Sequence, residues 1–391
     1  MRSIQLELAG STLAARLVDA DPPRLPGSAW ARVSVRGGGV CGSDLHLLHG
    51  DTGPMPLLGA FMPLPLNLGH EIAGVIVETG ADCPIATGTR VAVDPTIGCV
   101  VRGILPLCAK CGAGMPSVCI NSSSQVLTPG FLLGCTQGLG GGWSEQVVAH
   151  ASMLHPLPDA VPDSIATLHE PLSIALHGLL RQPPRSGDPI LVLGAGIIGL
   201  SSVAAARALF PENDVFVIAK HEHQAAAAEG LGATRVVRPQ AGGGHLQELA
   251  RLSGTRVVGS GESALLAGGF PYVVEAVGTP AAVTEALRVV DGRGTVLLLG
   301  IPGVVNVDLT PVWFKEVALV GSVFHAHDRA PTDAQTAHSI DRAVELLSRR
   351  ARAFEPLITH EFGLEDYGDA LAAALNRGSS RAIKVVFRPA E

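Results

Sequence analysis

Cys41, Gly69-His70-Glu71 and Glu170 place a thiolate, an imidazole and two carboxylates at three separated points of the chain. Such a donor set suits a divalent ion of zinc's borderline softness. Downstream, Gly194-Ala195-Gly196-Ile197-Ile198-Gly199 follows the apolar run Ile190–Leu193 and opens a second apolar run. In that context the first glycine permits a tight turn and the second lets a pyrophosphate approach the backbone. The third lets helix and strand pack closely, with the helix N-terminus toward the phosphates. Together the two signals imply an ion that polarises an alcohol or carbonyl beside a nicotinamide that takes or gives hydride. Each residue alone has a plainer reading. Cys41 would be a small buried hydrophobe, His70 a hydrogen-bonded core histidine, Glu170 a helix-start carboxylate ahead of Pro171, and Asp44 structural.

The residue that selects the cofactor is expected about 20 positions after the glycine motif, at the end of the second strand. The count lands on Ala219, which cannot bond a ribose 2′-hydroxyl, followed by Lys220, His221 and His223, which could surround a 2′-phosphate. This reading favours NADP over NAD. In the alternative, Lys220 is merely exposed and Glu222 serves the ribose. Val277 and Gly300 complete the candidate cofactor contacts.

Elements must hold these residues. At 391 residues the chain suits two domains. The first 150 residues are broken by Gly and Pro around short β-type runs at Ile4–Leu8, Ala31–Val35, Ile72–Glu78 and Arg90–Val93, which predict a β-rich domain. From about Ser173, strand-like runs (Ile190–Leu193, Val215–Ile218, Tyr272–Glu275, Val296–Leu299, Ala318–Val320) alternate with helical ones (Leu200–Leu209, Gln224–Leu231, Ala281–Val290). That alternation predicts a doubly wound parallel sheet. After Gly321 a helix around Ser339–Arg350 and a strand at Ile383–Phe387 are expected to rejoin the first domain. The domains are thus 1–172 with 324–391, and 173–323. Gly242-Gly243-Gly244 and Ser253–Gly269 read as mobile loops, and Arg349-Arg350-Arg352 as a solvated helix end.

Composition narrows the function classes. Only 16% of residues are charged and 47% are hydrophobic, as in an α/β protein whose strands are buried on both faces. A net charge of −7 leaves no basic footprint for nucleic acid. Pro189–Ala206 is uncharged over 18 residues, but its glycines make strand-then-helix the better reading than a membrane span. No secretory signal is visible at Met1–Glu7, and seven cysteines, an odd number, fit metal thiolates in a reducing cytoplasm.

Cys41-Gly42-Ser43-Asp44-Leu45-His46, Gly69-His70-Glu71 with Gly74, Gly88-Thr89-Arg90-Val91, Gly141-Gly142-Trp143-Ser144-Glu145, Glu170-Pro171-Leu172-Ser173 and the glycine-rich turn occur in this order. In these motifs nearly the whole chain resembles the zinc-dependent medium-chain alcohol dehydrogenases, within them the sorbitol and polyol (threonine) dehydrogenase-like branch. The resemblance implies a GroES-like catalytic domain, a Rossmann cofactor domain, and a homodimer or homotetramer. It also implies a catalytic zinc on Cys41, His70 and either Glu71 or Glu170, the other holding zinc-bound water. Ser43 would accept the alcohol proton and relay it, through the cofactor ribose, towards His46 and solvent. His is the side chain best suited to such a shuttle near neutral pH.

The family often holds a structural zinc through four cysteines, and Cys99, Cys108, Cys111 and Cys119 lie within 21 residues. Eight residues separate Cys99 from Cys108 where the family usually has two, so Val100–Leu107 is expected to loop out, at a closure cost of only about a kcal/mol. If Cys99 does not ligate, the lobe keeps free thiols; Cys83 and Cys135 read as structural. The expected activity is interconversion of a secondary alcohol (a polyol, sugar or cyclitol) and a ketone. Rivals are a retained nicotinamide serving epimerisation or elimination, a non-catalytic nucleotide sensor, or a zinc-free reductase. Phe61, Trp313, Phe324 and His325 are candidate cleft walls for the small-molecule substrate.

Overall fold

Residues on Trp30–Gly39 alternate between buried and half-buried from Ala31 to Arg36, then end in three buried glycines. This is the period-two pattern of a strand with one covered face. In the computed structural model, which describes residues 1–10, 12–49, 62–124 and 126–389, this strand anchors a seven-stranded sheet. It pairs antiparallel with Glu71–Thr79, Gln146–His150 and Lys384–Phe387. Arg90–Val93 and Leu154–Pro156 extend the sheet on one side and Ile358–Phe362 on the other. The register sets Gly39 against both Glu71 and Val386. A Cβ at Gly39 would lie 1.8 Å from Glu71 Oε2, so the approach of that carboxylate requires glycine.

Among the described residues, two apolar clusters pack on this sheet. One gathers Ile4, Leu6, Leu66, Leu68, Trp143 and Phe387, and the other Val33, Ile72, Ile76, Val91, Val147 and Leu154. Trp143 is fully buried and its Nε1 donates to the Gly39 carbonyl at 3.0 Å. The packing therefore fixes the backbone that leads into Cys41. These elements belong to one compact unit of Met1–Ser173, Phe324–His327 and Ala337–Glu391.

The second unit, Ile174–Val323 with Asp328–Thr336, is a six-stranded parallel sheet. Its order is Arg235–Val237, Val215–Ile218, Ile190–Leu193, Phe270–Glu275, Val290–Leu298, Ala318–Gly321. Ile190–Leu193 and Val215–Ile218 are buried at every position, as strands covered on both faces must be. The chain runs outward in both directions from Ile190–Leu193 and Phe270–Glu275, so the order reverses between them. The fold class is α/β, with a β-rich unit and a doubly wound sheet. Pro189–Ala206 is strand then helix, and no described helix is long and apolar enough to cross a membrane.

One expectation needs correction, and one strand was not expected. Ser253–Gly269 is not simply a loop, because Val257–Val258 and Leu265–Leu266 form a short antiparallel pair with Leu266 in the core. The strand Arg235–Val237, whose charged first residue hides its nature, pairs with Val215–Ile218 at the sheet edge. Arg349 ends on the surface of the helix Ser339–Phe354, paired with Glu345.

Candidate active site and cofactor cradle

Cys41 follows Trp30–Gly39 after one residue, Val40, and immediately precedes the helix Gly42–His49. The Asp44 carboxylate accepts the Cys41 N–H at 3.0 Å, and its other oxygen lies 3.5 Å from His70 Nδ1. A buried carboxylate behind an imidazole fixes ring orientation and tautomer, leaving Nε2 for a metal. His70 is buried, which disfavours its charged form, yet Asp44 and Cys41 outweigh burial and raise its pKa well above the usual value. Cys41, His70 and Glu71 present ligand atoms that all lie within 4.8 Å of one another.

Glu71 is also half of a buried ion pair. Lys384 Nζ sits 2.6 Å from both its oxygens and donates to the Val40 carbonyl at 3.0 Å. Both side chains are 1% exposed. Burial pushes the Glu71 carboxyl up, against the pull of Lys384. Glu170 lies in the first turn of the helix His169–Arg181, where the positive end of the helix dipole favours an anion. Burial opposes its charge, but His325, with Nε2 3.4 Å from Glu170 Oε1, and the charges of His70 and Lys384 hold its pKa below the ordinary value. Glu170 is not part of the three-residue group, although its charge is felt by Glu71.

Ser43 is half-buried and His46 exposed, three residues apart on the helix Gly42–His49. Such spacing puts both on one side of the helix. Lys384 and Asp44 are the positioning residues that motif spacing could not reveal as such. Lys384 lies 313 positions from Glu71, and only the strand register brings the two together. His325 is fully buried and touches Ser173 and Glu170, which places it behind the carboxylate and not on a wall. Phe324 packs on Phe131, Trp313 is exposed, and Phe61 lies outside the described residues.

The second thiolate group is compact. Cys99 Sγ is 3.5 Å and Cys108 Sγ 3.9 Å from Cys119 Sγ, and all four sulfurs lie within 4.8 Å of one another. Sulfurs around one tetrahedral zinc stand about 3.8 Å apart, given Zn–S bonds of about 2.3 Å. The N–H groups of Cys99, Cys111 and Asn121 and the Asn121 amide donate to sulfurs, as charged thiolates require. The N–H groups of Cys111 and Ile120 pull the Cys108 thiol down to about 6, whereas burial pushes the Cys111 and Cys119 thiols up. The interval Val100–Leu107 does not simply loop out. Leu105 is exposed, but Arg102 is fully buried and its guanidinium donates to carbonyls of Ser122, Ser124, Leu127 and Gly130. The extra residues thus tie the lobe together from inside. Cys83 and Cys135 stand apart, and burial pushes the Cys135 thiol up to about 12.

In the second unit the glycine turn joins Ile190–Leu193 to the helix Ile197–Leu209. Gly194 has φ +94°, and a Cβ at Gly199 would lie 1.9 Å from the Gly194 carbonyl. Gly196 caps the helix without a side-chain hydrogen bond and the first turn holds no acid, so its N–H groups suit phosphates. Ala219 is buried at the end of Val215–Ile218; Lys220 is exposed, and His221 stacks on His223. Arg238, which the motif count does not reach, donates to the Ala219 carbonyl at 3.2 Å and pairs with Glu222. Val277 lies beside Gly194, and Gly300 beside Gly278. Both flank the buried Glu275, whose carboxylate accepts the N–H groups of Val277 and Gly278.

Residues 27–159 match the alcohol dehydrogenase GroES-like domain and residues 198–339 the zinc-binding dehydrogenase domain. The chain is 28% identical to an L-threonine 3-dehydrogenase of Deinococcus deserti, over 94% of each chain. It is also 28% identical to a sorbitol dehydrogenase of Arabidopsis thaliana, over 91% of this chain and 87% of that one. Among solved structures, a protein described as a zinc-binding dehydrogenase from Sinorhizobium meliloti, bound to NADP, superposes with a TM-score of 0.74 at 27% identity, covering 99% of both chains. An alcohol dehydrogenase from E. coli in complex with NADH superposes with a TM-score of 0.73 at 25% identity, again over 99% of both. The chain therefore belongs to the zinc-dependent medium-chain alcohol dehydrogenases, in the polyol and threonine dehydrogenase-like branch, and is an oxidoreductase acting on CH–OH groups.

Proposed function

We propose that this protein interconverts a secondary alcohol of polyol, sugar or cyclitol type and the corresponding ketone, with a catalytic zinc and with NADP in preference to NAD. The observation that carries the reading is the approach of Cys41, His70 and Glu71 to within 4.8 Å. Three protein ligands with a fourth position open is the stoichiometry of a catalytic zinc. Glu71 keeps lone pairs beyond the two held by Lys384 and serves as third ligand; Glu170 attends the open position. When bound, zinc supplies Lewis acidity toward a substrate oxygen, and the nicotinamide supplies the hydride acceptor or donor. The chain's own residues do the rest. Asp44 holds His70 and Cys41 in place, Lys384 counters the burial that raises the Glu71 pKa and keeps the carboxyl aimed, and Ser43 accepts the hydroxyl proton for transfer toward the exposed His46. Cys99, Cys108, Cys111 and Cys119 hold a second, structural zinc.

Three features support NADP: Ala219 in place of an acid, the cations Lys220 and Arg238 beside it, and the NADP found in the Sinorhizobium structure. The exposed edge strand Ala318–Gly321, with exposed Trp313 and Phe314 in the same unit, supports self-association into a dimer or tetramer. The test is a screen of polyols, sugars and secondary alcohols on zinc-replete protein, following nicotinamide reduction with both cofactors. A preference for NAD of about tenfold, worth about 1.4 kcal/mol, would sink the NADP assignment. Cys41→Ser should lose catalytic zinc and turnover together, kcat falling about a thousandfold or more as several kcal/mol of charge stabilisation go. Activity retained in that variant refutes the centre. Glu71→Gln should release more zinc than Glu170→Gln; the reverse order exchanges their roles.

A further inference from the structure

Outside the two groups of metal ligands described above, a third cluster in the first unit has the composition of a cation site. Asp94 follows the strand Arg90–Val93, and His155 lies on its antiparallel neighbour Leu154–Pro156. His338 caps the helix Ser339–Phe354. One carboxylate oxygen and one nitrogen from each ring all lie within 4.8 Å of one another. The two rings stand 4.8 Å apart between centroids.

Hydrogen bonds around the cluster define what each group has left to offer. His155 Nδ1 lies 2.6 Å from Asp341 Oδ1, and a carboxylate only accepts, so the proton sits on Nδ1. His155 Nε2 is then left buried with no hydrogen-bond partner. Asp94 Oδ1 accepts the Thr96 N–H at 2.8 Å, while Oδ2 lies 3.2 Å from His338 Nε2. With neutral imidazoles the group carries two negative charges, which a divalent cation balances.

We propose that Asp94, His155 and His338 form a further metal site that takes a first-row divalent cation, zinc foremost, and ties the helix Ser339–Phe354 to the two strands. Two imidazoles and one carboxylate suit zinc and its neighbours, whereas calcium and magnesium call for oxygen ligands. Asp341 behind His155 supplies the orienting carboxylate that metal-bound histidines usually have. Its side chain is 60% exposed and the exposed His327 ring packs edge-on against His338, so a path from solvent exists on that side. Occupancy has one cost. His338 Nδ1 accepts the Ile340 N–H at 3.2 Å, so in the metal-free state Nε2 bears the proton. Metal binding displaces that proton from Nε2; Nδ1 becomes protonated and the cap bond to Ile340 is given up. The site is therefore weaker than the thiolate sites and fills after them.

Cobalt(II) loading of the full-length, metal-depleted protein separates the sites, because cobalt at Cys41 or at the four-cysteine lobe carries a thiolate charge-transfer band. Wild type should bind one additional equivalent that adds visible ligand-field absorption without such a band, and its Tm should rise as that equivalent fills. Asp94→Asn and His155→Gln should lose this equivalent and retain the thiolate bands, which report that the rest of the protein is folded. Asp341→Asn, a change at a largely exposed side chain, should keep the equivalent at about 10–100-fold weaker affinity. Absence of a thiolate-free equivalent in wild type overturns the proposal. So does its persistence in both Asp94→Asn and His155→Gln.

Discussion

The two units build their sites from opposite materials. The first relies on side chains and concentrates buried charge: Asp44, His70, Glu71, Asp94, Glu170 and Lys384 are all nearly inaccessible. The second relies on backbone. Its turn is shaped by Gly194 and Gly199, its helix terminus is left uncapped, and Ile190–Leu193 and Val215–Ile218 beside it are apolar throughout, while the buried Glu275 on Phe270–Glu275 is held by backbone N–H groups. A buried charge is stable only with its partner in place, so a site of this kind is intolerant of single changes. The N–H groups that face the phosphates carry no side-chain charge to strand, and selectivity is adjusted at cations around the rim. Substitutions in the first unit should therefore act steeply, and those at the rim of the second by degrees.

Lys384→Met is the most severe way to break this contrast after loss of Cys41 itself. It leaves Glu71 buried and unpaired, for which a destabilisation of about 3–5 kcal/mol is expected. Adding Glu71→Gln should recover much of that loss, although not the zinc. Denaturant unfolding of the single and double variants measures both; equal stability of wild type and Lys384→Met would show that the pair is not closed in solution. Asp44→Asn comes next. It removes the charge behind His70 and should weaken catalytic zinc binding about 10–100-fold, with the structural zinc retained. At the cofactor rim, Lys220→Ala and Arg238→Ala should each lower kcat/KM with NADP about tenfold, roughly one charge-assisted hydrogen bond, with little effect on NAD. If both cofactors suffer equally, these cations support the fold and not the 2′-phosphate.

The same contrast explains what could be read before the fold was known. Gly194, Gly196 and Gly199 are close in sequence and each is demanded by local geometry, so the turn and its flanking strand and helix were legible. The four cysteines were also local, but the inward fold of Arg102 was not, because it depends on carbonyls from 20 to 28 positions away. Cys41, His70, Glu71 and Glu170 were visible as residue types within recognisable motifs. The grip of Lys384 on Glu71 was hidden, since a lysine in a closing strand looks like any surface cation until register places it. Arg235–Val237 went unread because its exposed arginine masks a short edge strand, and Leu265–Leu266 because two residues are too few for periodicity to show.

The smallest expected effect lies in the second unit, at one of its few buried ionisable side chains. His245 Nε2 is 2.5 Å from Glu285 Oε1, and Nδ1 accepts the Gln240 N–H. The hydrogen bond and charge of Glu285 raise its pKa, outweighing burial, and protonation gives up the bond from the Gln240 N–H to Nδ1. A raised folded-state value means that the imidazolium is favoured by folding. Its contribution is complete below the unfolded value of about 6.5 and is lost as pH rises through the folded one. Thermal unfolding of the protein should therefore show a modest loss of stability from mildly acidic to mildly alkaline pH that is absent in Glu285→Gln. Because Glu285 is partly exposed, solvent screening keeps the effect small. A pH dependence in Glu285→Gln as large as in wild type would mean that the slope arises among the buried charges of the first unit, and the contrast between the units would then be sharper still.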